Sequence, residues 1–98
     1  MITELSYIKA HLRITDDTED SLLESYGEAA TEVILKAINQ AEDDLYDEYG
    51  MMPHALKNAV CLIVGAMYQN REATAQQVYN VNPMLNTLVL PYKKIILN

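Results

Sequence analysis

Between Leu56 and Met67 the chain carries apolar residues on every side of a helix. Leu56, Val60, Ile63 and Met67 keep helical spacing, and Ala59, Leu62, Val64 and Ala66 fill most of the remaining directions. A helix apolar all round has no face to give to water, so it must be covered all round, by its own chain or by a neighbour. The 98 residues suffice for one domain. A chain of this size buries only a modest share of its surface, and association with further copies is a common remedy. The segment is therefore expected at the centre of the core, with the other elements wrapped around it.

Those elements read as helices. Thr3 suits an N-cap, and Leu5, Ile8 and Leu12 recur at helical spacing, so a short helix runs to Leu12. Asp16-Asp17-Thr18-Glu19-Asp20 is rich in capping residues and opens a second, longer helix, with its acids at the favourable end of the macrodipole. Leu22, Tyr26, Ala29, Val33 and Ala37 form one apolar stripe of that helix, with Leu23, Ala30, Ile34 and Ile38 beside it. Gly27 interrupts the pattern as a close-contact point or a weak one. From Ala41 to Met52, Leu45, Tyr46 and Tyr49 are compatible with a continued helix or a short separate one, stopped at Gly50. Pro53 fits the first turn of the central helix. Ala73 to Asn82 is polar and reads as a loop; Pro83 then opens a short helix through Leu85 and Leu88, ended by Pro91. The expected fold is all-α: one domain over residues 1–98, a small bundle of about four helices, a flexible polar loop at about 73–82 and an extended C-terminal tail at about 91–98.

Charge is distributed unevenly. Residues 1–15 carry net +1, residues 16–50 net −11, and residues 51–98 net +3, giving −7 overall. An acidic block of this size argues against gripping nucleic acid, which needs clustered Lys and Arg on phosphates. Within it, Glu24, Glu28 and Glu32 form a row at i, i+4 spacing, either a solvated face or a face that repels DNA or meets a basic partner.

The sequence lacks the usual signs of chemistry. The single cysteine, Cys61, lies in the apolar segment, where burial makes a thiol inert. His11 and His54 lie near helix ends, and two His with one Cys do not supply a zinc site. Asp43, Asp44, Asp47 and Glu48 lack the alternating ligands and the glycine of a calcium-binding loop. No phosphate-cradling glycine motif is present. No enzyme activity, cofactor or metal is expected. One cysteine, a start without a basic signal sequence and an apolar run too short for a membrane span make the cytoplasm the default location, without membrane contact.

Several fragments occur in a telling order: Leu12-Arg13-Ile14, Asp16-Asp17, Glu19-Asp20 with Leu23, Ala29-Ala30, and Pro53 with Leu56-Lys57. Ala59-Val60 to Val64 follows, then Tyr68-x-Asn70-Arg71-Glu72, Leu88 and Pro91-Tyr92-Lys93. Together they resemble the small head–tail connector proteins of tailed bacteriophages, also called head-completion or DNA-packaging adaptor proteins. The resemblance covers nearly the whole chain. It departs at Lys93, where the family often has Arg, and in the apolar Ile95-Ile96-Leu97. It implies a structural protein forming a ring of about a dozen copies. Such a ring sits beneath the portal at the capsid vertex, extends the DNA channel and offers a platform for tail attachment. The implied partners are further copies of the chain, the portal protein, the next tail-completion protein, and DNA that passes without specific binding. The implied location is the virion neck, with the host cytoplasm during assembly.

On that reading Arg13, Arg71, Leu85, Leu88, Tyr92, Ile95, Ile96 and Leu97 are candidate subunit or portal contacts, and Glu24, Glu28 and Glu32 are candidate channel-facing acids. At least one of Arg13 and Arg71 is expected to pair with the Asp16–Asp20 segment. The competing readings are an acidic helical interaction module, a DNA-mimic inhibitor, and a small enzyme using Asp43, Asp44 and Asp47.

Overall fold

The computed structural model describes residues 1–95. Five α-helices occur among them: α1 (Leu5–Leu12), α2 (Asp20–Ile38), α3 (His54–Gln69), α4 (Ala75–Val81) and α5 (Pro83–Val89). Short 3-10 turns follow α2 at Glu42–Leu45 and α5 at Leu90–Tyr92.

The fold is built on α3. Its Leu56, Ala59, Val60, Cys61, Ile63 and Val64 are completely buried, and Met67 nearly so. On α2 the fully buried stripe is Leu23, Ala30, Ile34 and Ile38, while Leu22, Tyr26, Ala29, Val33 and Ala37 are half-buried at its margin. Tyr68 near the end of α3 reaches Glu19 before the start of α2, so these two helices run antiparallel. Glu4 lies against Lys57, and Leu12 beside Gly65, so α1 runs parallel to α3. Helix α1 lowers Ile8 into the seam between its neighbours. It comes close because Gly27 has no side chain: a Cβ there would meet Met1 Sδ at 2.5 Å and Ile8 Cδ1 at 3.0 Å.

Both ends of the described chain are tied to α2. The Ile2 N–H donates to Thr31 Oγ1 at 3.1 Å, and that hydroxyl donates to the Gly27 carbonyl at 2.8 Å. The Lys94 N–H donates to the Ile38 carbonyl at 2.8 Å, and the Gln40 side-chain amide donates to the Tyr92 carbonyl. The tail is anchored at least as far as Lys94.

Four sequence expectations are corrected. First, residues 73–82 are not a loop: they contain α4. Thr74 and Gln77 form a reciprocal capping box, with Thr74 Oγ1 accepting from the Gln77 N–H and Gln77 Oε1 accepting from the Thr74 N–H. This satisfies two donors that a helix start leaves unpaired, and Ala75 and Val78 give the helix a buried side. Thr74→Ala is expected to destabilise the chain by about 1 kcal/mol. Amide exchange should localise the loss to 75–81, and unchanged protection there would count against the capping role.

Second, Thr3 does not cap α1. Glu4 holds the N-cap position, and Thr3 is buried with its hydroxyl unpartnered. Third, residues 41–52 do not continue α2; the short separate helix there is a 3-10 turn at Glu42–Leu45, which takes in Leu45 but not Tyr46 or Tyr49. Asn39 ends α2 in a left-handed conformation, which Asn tolerates better than most residues. Gly50, at φ 75°, serves a turn instead of a helix end. Fourth, Pro53 stands at the N-cap of α3, one position before its first turn.

Candidate functional site

Two polar clusters bind the elements at one end of the bundle. In the first, Glu19 accepts from the Tyr68 hydroxyl at 2.7 Å and from Arg71 Nη2 at 2.6 Å, and the guanidinium lies 5.1 Å from the centre of the Tyr68 ring. The hydrogen bond to Glu19 raises the pKa of both the Tyr68 hydroxyl and the Arg71 guanidinium. In the second, Lys9 Nζ on α1 donates to Asp17 and to Asp20, both at 2.8 Å. The hydrogen bond to Asp17 is the main cause of the raised Lys9 pKa, and the same bond lowers that of Asp17. Together the clusters fix the α1–α2 connection against the end of α3.

Arg71 therefore meets the Asp16–Asp20 segment at Glu19, within its own chain. Arg13 is exposed and makes none of the ion pairs among the described residues. It occupies the left-handed position that ends α1, at φ 60°. Glu19→Gln keeps the shape but removes the charge. It is expected to lower the thermal midpoint by about 4 °C while leaving helix content intact. A midpoint equal to wild type would show the cluster to be ornamental.

The remaining candidate contacts divide sharply. Leu85 is completely buried inside the chain and has no surface to offer a partner; α5 turns it onto α3. Leu88 and Tyr92 are half-buried, and Ile95 is 74 % exposed. Ile96 and Leu97 lie outside the described residues. Glu24, Glu28 and Glu32 all stand exposed on the outer face of α2. Sequence reasoning missed Tyr49, Met51, Val81 and Met84, which are large, apolar and exposed. Val81 and Met84 flank the α4–α5 junction, and the signal that could have found them was the Thr74–Gln77 capping pattern, which fixes where α4 begins.

A groove of about 920 Å³ lies beside the end of α2, bordered by Glu32, Lys36, Gln40, Asp44, Gln76 and Lys94. Its charges are mixed, with Glu32 and Asp44 beside Lys36 and Lys94, and its lining includes no His, Cys or Ser. Burial pushes the Cys61 thiol up to about 11, which keeps it protonated and unreactive at neutral pH. Among the described residues no three of His, Cys, Asp and Glu converge to hold a metal ion, and no helix is long and apolar enough to cross a membrane.

The family described as phage gp6-like head-tail connector protein matches residues 2–98 of the chain. The chain belongs to this family. It is thus a head–tail connector of the phage neck, from a structural family. No curated protein and no solved structure matches the connector chain.

Proposed function

We propose that the chain assembles as a ring below the portal, where it extends the DNA channel and presents a platform for tail attachment. The observation that carries this reading is the family match over residues 2–98. The fold is compatible with it: α3 is covered by the chain's own helices, which leaves the outer surfaces for neighbours. The subunit would meet other copies, the portal above and the next tail-completion protein below, in a ring of about a dozen. Mass measurement of the purified chain, alone and mixed with its portal, tests the reading. A ring in either preparation is the expected result. A chain that never oligomerises and ignores the portal overturns it.

In such a ring the Glu24, Glu28 and Glu32 row faces the channel. Its exposure on the outer face of α2 supports that role. Carboxylates lining the channel repel phosphates, so DNA slides without sticking. Replacing all three with Gln is expected to slow DNA ejection from assembled particles several-fold, most at low salt, where screening is weakest. Unchanged ejection with normal assembly counts against the channel assignment.

A further inference from the structure

Among the described residues, seven large hydrophobic side chains stand exposed, and they fall in two stretches. Tyr46, Tyr49 and Met51 belong to the loop that leads into α3. Val81, Met84, Leu90 and Ile95 belong to the α4–α5 junction and the start of the tail. Isolated exposed hydrophobics are ordinary. Here each group also carries its own sign of charge. Residues 40–52 contain Glu42, Asp43, Asp44, Asp47 and Glu48 and no Lys or Arg. Residues 73–95 contain no Asp or Glu, and their only cationic side chains are Lys93 and Lys94. Lys94 borders the groove with Asp44 of its own chain. The contrast therefore rests on Lys93 and on the complete lack of acids in the second stretch.

The acidic loop is held in shape. Asp47 Oδ1 accepts from the Tyr49 N–H at 2.8 Å and from the Met51 N–H at 2.9 Å, while the Asp47 N–H donates to the Met51 carbonyl at 2.9 Å. Tyr49, 81 % exposed, thus projects from a fixed turn and loses little freedom on docking. The second stretch is equally fixed. The α4 capping box holds one side, and Asn82 Oδ1, accepting from the Met84 N–H at 3.0 Å, holds the other.

We propose that these are the two halves of one subunit contact: the acidic Tyr46–Met51 loop of one copy docks on the Val81–Ile95 surface of the next, with Lys93 at its edge. The proposal rests on the ring reading above and names the surfaces that close the ring. A two-fold contact centred on the acidic loop would set acid against acid, with like charges opposed. A head-to-tail contact joins unlike patches, and its repetition generates a ring.

Ring assembly of the full chain with its portal, followed by native mass measurement, tests this with two variants. Tyr49→Ser combined with Met51→Ser changes only exposed side chains; it should keep wild-type helix content and need at least tenfold more protein to assemble. Separate Tyr49→Cys and Met84→Cys preparations, mixed and oxidised, should give cross-linked pairs that neither preparation forms alone. A wild-type ring that the serine variant matches overturns this contact and leaves the ring reading standing. A serine variant that still forms rings but no longer holds the portal assigns the loop to the portal and equally overturns it. A wild-type chain that forms no ring with or without the portal overturns both.

Discussion

Replacing Leu85 with Ala lowers the stability of the isolated chain by about 2–5 kcal/mol, with no partner present. Leu85 is completely buried among α3 and its neighbours. Truncation removes its transfer energy and leaves a cavity that close-packed helices refill only partly. An equilibrium urea melt followed by helical circular dichroism measures the shift in midpoint. Met84, one residue earlier and 56 % exposed, is the control: Met84→Ala should change stability by no more than about 0.5 kcal/mol. If Leu85→Ala leaves the isolated chain as stable as wild type, its burial within one subunit is wrong, and the residue returns to the list of interface contacts.

The second large effect concerns Gly27. Helix α1 approaches α2 so closely that a Cβ at position 27 lies within 3.0 Å of both Met1 Sδ and Ile8 Cδ1. The two possible substitutions therefore separate. Gly27→Ala must displace the ends of two flexible side chains, but it gains about 1 kcal/mol of helix propensity, so the result is close to neutral. Gly27→Leu adds a branched group where Ile8 already sits and destabilises by about 1–3 kcal/mol, or more if α1 detaches. Thermal melts of both variants decide the matter. A Leu variant as stable as the Ala variant would mean that α1 does not rest on this glycine.

The central helix was legible because its signal was redundant. With apolar residues in nearly every direction from Leu56 to Met67, no choice of face could be wrong. Helix α2 was legible for a weaker reason. Two adjacent stripes were apolar, and only packing decided that Leu23, Ala30, Ile34 and Ile38 go fully inside while the Tyr26 stripe stays at the edge. Composition misled at 73–82, where two Gln and two Asn read as loop. The Thr74-x-x-Gln77 pattern is a local signature of a helix start, and two small buried contacts suffice for seven residues. Leu85 is buried within the chain, a placement that spacing alone does not give, because it cannot tell whether an apolar helix side faces its own core or a neighbour. The pairing of Arg71 with the acidic segment followed from charge. The choice of Glu19 as its partner needed the antiparallel arrangement of α2 and α3, which no single segment encodes.

The attachment of both chain ends to α2 bears on how the molecule forms. The N-terminal tie joins residues 29 apart, and the tie from Lys94 to Ile38 spans nearly twice that separation. Each doubling of a closed loop adds only about 0.6 kcal/mol of entropy, so the longer closure is affordable at equilibrium. Its effect is on the order of events, because contacts distant in sequence are rewarded only after the intervening chain is ordered. The antiparallel pair of α2 and α3 forms the shorter-range platform. The tie between Lys94 and Ile38 is therefore expected to form after α4 and α5 have packed, so α2 receives its last contacts late in folding.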